Sequence, residues 1–490
     1  MKCFINKYCY LIIMDILIKN VRISENGVLK PIEILIQNEK IAGFSKQFRL
    51  SEYDKIINGK NSIAIPGGID MHVHFRDPGS NYKENWYTGS RAAAAGGITT
   101  VADHPNTNPA TLDKKSFEIK QKLAKKRSVV DYGINSGVYE NIEKFDELWD
   151  LGALAFGEIF MGLSTGGMCV DNKELGESLE AIKKLNALPL IHAEDEGIRL
   201  KNLDLFENYN EPDIHSRVRP NECEEKAVFD CLEINRKIKG NLHFCHMSTP
   251  EAVKLIEKER NYFKKIFENK KQNGLKEDEN EPKITAEVAP HHLFLTINDW
   301  PRLNTFAKMN PPIRDEYSAN EMMKALNEGK VNAVASDHAP HTIDEKSVPM
   351  RSAPSGVPGV ETLMPLMLAA VKSNKITLNR LIEVTSRNPA RILNIERHGK
   401  GLLKEGYDAD IILFDPKCVK KIKVEDLHSK CNWTPYEGMD AIFPNTTIVR
   451  GEIVWDGENI TKKKGYGKFL PGEGKGIKEK KEREEISNKR

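Results

Sequence analysis

The sequence predicts an α/β protein, a (β/α)8 TIM-type barrel with a smaller β-sandwich-like domain formed from both chain ends. Three observations predict it. Eight short apolar runs recur through the middle of the 490 residues, most followed by a stretch of helical periodicity, and eight such units are the count of a closed barrel. The two segments flanking this region share a different texture, short alternating strands broken by turn residues. An open doubly wound sheet would not need eight units and would normally show a Gly-rich phosphate turn after an early strand; none is evident.

Residues 1–13 form an apolar leader interrupted by Asn6, Lys7 and Tyr8, with no small-residue cleavage site, and Met14 directly precedes the first patterned strand. The leader reads as an extension that need not be native, not as a signal peptide. Residues 14–65 hold Ile16-Leu17-Ile18 and Ile32 to Ile36, with turns at Asn26-Gly27 and Asn38-Glu39, and are expected to form the first part of the small β-domain. The barrel is expected over 66–395. Its strand candidates lie around 68–74, 97–103, 128–134, 154–160, 188–192, 242–246, 284–289 and 332–336, and its clearest helical patterns span 114–126, 172–185, 222–238 and 319–328. The stretch 257–282, dense in Lys, Glu and Asn, is expected to be an exposed, charged insertion between the sixth and seventh units. Residues 396–460 return to alternation, in Asp410 to Phe414 and Thr447 to Trp455, and are expected to complete the N-terminal sheet. Residues 461–490 carry eleven Lys or Arg against five Glu and are expected to be a basic, disordered tail.

Lys and Arg number 73 against 71 Asp and Glu, a net charge of +2 that predicts no attraction of the body to nucleic acid or a membrane surface. No run approaches the ~20 apolar residues of a membrane span. The eight cysteines are scattered with no C-x-x-C pair, which fits a reducing cytoplasm. The substrate is therefore to be sought in a site.

Active sites of such barrels sit at the C-terminal ends of the strands. The first run closes on Asp70-Met71-His72-Val73-His74-Phe75-Arg76; alternate strand side chains share a face, so His72 and His74 can offer both imidazoles to one metal ion. The fourth run ends in Glu158, the fifth in His192, the sixth in His246 and the eighth in Ser336-Asp337-His338. Four imidazoles and two carboxylates suit zinc and are too many for one tetrahedral ion with an open position, so one or two Zn2+ are expected. Bound zinc lowers the pKa of water toward about 7 and so makes hydroxide available as a nucleophile at neutral pH. Asp337 is the candidate general acid/base, able to ligate metal and pass a proton to a leaving nitrogen. Arg76 and His341, on the following loops, are placed to hold an anionic group, and Arg offers a planar fork for carboxylate.

On these residues the chain resembles the dihydroorotase family of the amidohydrolase superfamily. The resemblance rests on Asp70 to Gly79, on Asp103-His104-Pro105-Asn106-Thr107-Asn108-Pro109, and on Ala335 to His341 with Lys346. Supporting stretches are Val288 to His292, Lys308 to Pro312, Gly356 to Thr362 and Gly406 to Asp410. It implies reversible conversion of N-carbamoyl-L-aspartate and dihydroorotate, a step of pyrimidine synthesis. It also implies that His72, His74 and Asp337 bind one metal and His192 and His246 a second, with Arg76, Asn106 and His341 on the substrate carboxylate and Asn310 near the ring. One departure is visible. Many relatives carry at the end of the fourth strand a lysine that is carbamylated to bridge the metals; counting back from Met161 puts Glu158 there, with one extra residue before it. A sister cyclic amidase, acting on hydantoin, dihydropyrimidine or allantoin, is the alternative reading. A non-catalytic assembly partner of aspartate carbamoyltransferase is a further one, against which the chemically competent ligand set argues.

Overall fold

A computed structural model describes residues 15–25, 27–48, 53–164, 167–272 and 281–474. The leader 1–13 and its neighbour Met14 lie outside these residues. Eight parallel strands follow one another as the alternation predicts: Gly68–Val73, Ile98–Asp103, Asp131–Ile134, Phe156–Phe160, Pro189–His192, Leu242–Phe244, Ile284–Val288 and Ala333–Val334. The ring closes through two short joins. Leu154 donates to Ile134 O (2.9 Å) between the third and fourth strands, and His74 N donates to His338 O (2.8 Å) between the eighth and the first.

Helices return the chain between strands, and their starts are written in the sequence. Asp113 and Asp171 each accept a hydrogen bond from the backbone three residues on, and Ser116 and Glu174 reciprocate as capping boxes for Lys114–Arg127 and Asn172–Lys184. Asp315 caps Glu316–Asn327 through Ser318 N. Buried residues such as Phe117, Leu175, Leu179 and Leu232 turn one stripe of each helix to the strands, giving a continuous core with Val101, Ile191, Phe244 and Val288.

Both chain ends enter one seven-stranded sheet, in the order Glu452–Trp455, Thr446–Val449, Ile411–Phe414, Lys55–Pro66, Asp15–Glu25, Val28–Gln37 and Lys40–Ser45. Its core is a separate cluster of Ile16, Ile18, Ile34, Ile36, Ile411 and Ile448.

Two expectations are corrected. Within 257–282, residues up to 272 belong to the helix Pro250–Gln272, and Phe263 and Phe267 are buried in the barrel core, so this part is the return helix of the sixth unit. Its apolar stripe is outnumbered by Lys and Glu on the wet face. Residues 461–474 of the basic tail run across the start of the third strand: Lys468 O accepts from Tyr132 N (3.0 Å), Leu470 N donates to Tyr132 O (2.8 Å), and Leu470 is buried with Ile69, Leu154 and Leu190.

Candidate active site

The strand ends bring the six expected metal-ligand residues to one place. The Nε2 atoms of His72 and His74 are 3.2 Å apart, and Asp337 Oδ1 lies 3.2 Å from His74 Nε2 and 3.6 Å from His72 Nε2. Glu158 Oε2 stands 3.5 and 3.8 Å from the same two nitrogens. Its other oxygen, Oε1, lies 2.7 Å from His246 Nε2 and 3.1 Å from His192 Nδ1, and those two nitrogens are 3.1 Å apart. Donors on a tetrahedral zinc stand roughly 3.3–3.6 Å from one another, so the first group already has the spacing of a ligand shell and the second is slightly tighter. Imidazole nitrogens that face each other at this distance suit a shared cation: the opposite nitrogens of His72, His74 and His192 are taken by acceptors, while Nδ1 of His246 has no partner among the described residues. The residues fit a metal pair.

Groups behind the ring fix the histidines. His72 Nδ1 is 2.6 Å from Glu287 Oε1, His74 Nδ1 is 2.6 Å from Asn106 Oδ1, and His192 Nε2 is 2.9 Å from Glu194 Oε2. Each contact sets a tautomer and turns the other nitrogen to the centre. Burial opposes the charge on Glu287 and Glu194, but His72 in the one case and Arg219 in the other hold both carboxyls well below the usual range. Burial likewise favours neutral His192, yet Glu158 and Glu194 push it up to about 9. Asp337 is desolvated too, and the hydrogen bond from His74 with the neighbouring imidazoles holds its carboxyl well below the usual range, so it is ionised.

Glu158 reaches the centre through the extra residue noted in the sequence. Phe156 pairs with Pro189 and Ile159 with Ile191, so three steps on the fourth strand oppose two on the fifth, a bulge that re-aims Glu158. Gly157 is required here: its φ is +141°, and a Cβ would stand 2.3 Å from Leu190 O. Arg76, His246 and Asp337 also sit at positive φ (59°, 33° and 47°), backbone strain of about 1–3 kcal/mol each, concentrated at the centre.

A small pocket opens over the cluster, lined also by Arg76, Asn106, Ser164, Asn310, Ser355 and Gly356. Arg76 is buried, its Nη2 is 3.3 Å from His341 Nε2, and among the described residues no carboxylate is paired with it. His341 does not line this pocket; it stands behind Arg76, with Ser355 O at 3.1 Å and Lys83 Nζ at 3.1 Å. Asn310 Nδ2 donates to Ser164 Oγ (2.9 Å). Asn106 spends its carbonyl on His74, leaving its amide for the pocket.

Sequence reasoning missed Glu287, Glu194, Ser164 and His104, which stacks on His72 with ring centroids 3.9 Å apart. Glu287 had a signal, as an acid inside the apolar run Ile284–Val288, and Glu194 another, two residues beyond His192.

Residues 63–454 match the model of the amidohydrolase family, and the chain belongs to that family. The family is metal-dependent, and the candidate clusters above supply ligands for it. Among its relatives, a protein of Methanosarcina acetivorans named dihydroorotase is 53% identical over 461 residues, 94% of this chain and 96% of its own length. A dihydroorotase of Halobacterium salinarum is 39% identical over 81% of this chain and 87% of its own. Of solved structures, the L-hydantoinase (dihydropyrimidinase) of Arthrobacter aurescens superposes with a TM-score of 0.86 at 27% identity, covering 94% of this chain and all of that one. The dihydropyrimidinase of Brevibacillus agri shares the fold, with a TM-score of 0.83 at 24% identity over 94% of this chain and 99% of its own. Among the described residues no helix is long and apolar enough to cross a membrane.

Proposed function

We propose that this protein is a zinc-dependent dihydroorotase of the cytoplasm, interconverting N-carbamoyl-L-aspartate and dihydroorotate plus water. The observation that carries this reading is Arg76, a buried guanidinium on the pocket wall opposite the histidine and carboxylate cluster, with no acid paired to it among the described residues. A buried cation left alone is costly. A substrate carboxylate compensates it, and dihydroorotate carries that group outside its ring, whereas hydantoin and allantoin do not. The identity to relatives named dihydroorotase points the same way.

In this reading His72, His74 and Asp337 would hold one zinc and His192 and His246 the other, with Glu158 standing between the two groups. Zinc, when bound, supplies Lewis acidity and a water acidic enough to ionise near neutral pH. Asp337 takes the proton of the attacking water and returns it to the ring nitrogen as the amide C–N bond breaks; in the cyclising direction it takes the carbamoyl N–H proton and protonates the departing oxygen. Arg76 and the Asn106 amide grip the carboxylate, Asn310 faces the ring, and His341 keeps the guanidinium aimed.

Elemental analysis of the purified protein, paired with turnover of dihydroorotate, hydantoin and allantoin, tests site and substrate together. Faster turnover of hydantoin would move the protein to a sister cyclic amidase, the reading its structural neighbours favour. Arg76→Lys should lower kcat/KM for dihydroorotate at least tenfold, because an ammonium cannot reproduce the bidentate fork; full activity would remove the carboxylate clamp. Association with aspartate carbamoyltransferase is a separate reading, tested by co-sedimentation of the two purified proteins.

A further inference from the structure

Lys346 is fully buried, and its ammonium donates to three backbone carbonyls, Lys308 O (3.0 Å), Pro354 O (2.9 Å) and Gly356 O (3.1 Å). Two other fully buried lysines among the described residues are neutralised by acids, Lys120 by Asp103 at 2.7 Å and Lys400 by Asp131, Asp408 and Asp410, while the buried Lys308 also bonds only carbonyls, Met350 O at 2.6 Å and Arg351 O at 3.4 Å. Lys346 has no acid paired with it among the described residues. Only the protonated amine has a hydrogen for each of the three carbonyls, and these bonds favour the cation in fixed geometry against the burial that pulls its pKa well below the usual lysine value.

The carbonyls it ties together belong to the segments that wall the pocket. Lys308 lies two residues before Asn310, and Pro354 and Gly356 flank Ser355; Gly356 N also donates to Lys308 O (2.9 Å). The ammonium further lies 5.7 Å from the Trp433 ring, and Trp433 Nε1 donates to His341 O (2.7 Å), the residue behind Arg76. One cation thus touches both the Asn310 and Ser355 wall and the support of the guanidinium.

We propose that Lys346 is a positioning residue for the anionic substrate: it fixes the Asn310, Ser355 and Gly356 wall, and its uncompensated charge adds to that of Arg76 in holding the carboxylate. This rests on the dihydroorotase reading and deepens it. Charge in a buried site acts through low dielectric, so a cation that never touches the substrate still favours an anion nearby.

The test uses the full chain as Lys346→Met and Lys346→Gln, the second keeping two hydrogens for the carbonyls while removing the charge. Wild-type turnover of dihydroorotate checks the underlying reading independently. With that activity present and zinc content unchanged in the variants, KM for dihydroorotate should rise at least tenfold in both, more in Met than in Gln, while kcat falls less than threefold. An unchanged KM overturns the proposal, as does an equal loss of kcat and kcat/KM. If neither variant folds, the role of Lys346 is structural alone and the proposal is likewise overturned.

Discussion

Glu287 Oε1 stands 2.6 Å from Nδ1 of His72, and this contact decides which nitrogen of the imidazole turns to His74, Glu158 and Asp337. Glu287 has a second partner, His243, whose Nε2 is 3.2 Å from its other oxygen, so the carboxylate is clamped from two sides inside the barrel wall. Replacing it with Gln keeps the shape but lets the amide present a donor to His72, favouring the wrong tautomer. Glu287→Gln should weaken zinc binding about 10- to 100-fold. Equilibrium dialysis against a zinc buffer reads it, and wild-type affinity would mean that His72 is oriented by other groups.

Glu158 spans both halves of the cluster, one oxygen toward His72 and His74, the other toward His192 and His246. If the proposed site holds a metal pair, Glu158→Ala should lower bound metal from two ions toward one per chain and cut dihydroorotate turnover by at least a hundredfold. Elemental analysis reads the first effect and a ring-opening assay the second. Two ions retained in the variant would show that the carboxylate is not the bridge.

The contrast between Glu158 and Glu287 shows what a sequence exposes. His72, His74, Glu158, His192, His246 and Asp337 were legible because each closes an apolar run, and in a parallel barrel strand ends share one face whatever the loops do. Even the bulge at Gly157 left its trace, as one residue too many. Glu287 was not found, because a carboxylate behind a histidine on another strand is defined by the approach of the two strands, which no spacing encodes, whereas Glu194, two residues beyond His192, carried its signal in the local alternation. The helix at 250–272 and the strap at 461–474 were misread for another reason. In both, a few buried aromatic or aliphatic residues carry the packing while Lys and Glu on the wet face dominate the composition.

Lys400 ties the barrel to the sheet made from the chain ends. It bonds Asp131 at the start of the third strand (2.5 Å) and Asp410 beside the strand Ile411–Phe414 (2.8 Å), while Arg450 also pairs with Asp131. Lys400→Met leaves three buried carboxylates with Arg450 on Asp131 and the half-exposed Lys40 on Asp408, so Asp410 loses its partner, and should cost about 3–5 kcal/mol. The loss should shrink as pH falls: burial already raises the Asp410 carboxyl, so it is the group positioned to take up a proton and remove a charge that Lys400 no longer compensates. Urea unfolding at pH 8 and at pH 5.5 checks both the size and the direction; a penalty that grew toward acid pH would contradict this account.

Leu470 tests whether the segment beyond the seven-stranded sheet is part of the fold. Its backbone N–H bonds Tyr132 O, its neighbour Phe469 packs on Tyr132 and Phe117, and its side chain is buried against residues at the start of several barrel strands. The polar segment around it would be tolerant to change if it were solvated, since exposed substitutions usually shift stability by less than about 0.5 kcal/mol. A buried leucine behaves otherwise, because truncation loses transfer free energy and leaves a cavity. Leu470→Ala should therefore destabilise by about 2–4 kcal/mol, while Lys463→Ala, on an exposed neighbour, should leave the unfolding midpoint unchanged. The centre lies at the opposite ends of the strands, so zinc content and KM of the folded Leu470→Ala protein should match the parent. Equal midpoints for the two variants in urea unfolding would return this segment to the solvated tail that its composition suggests.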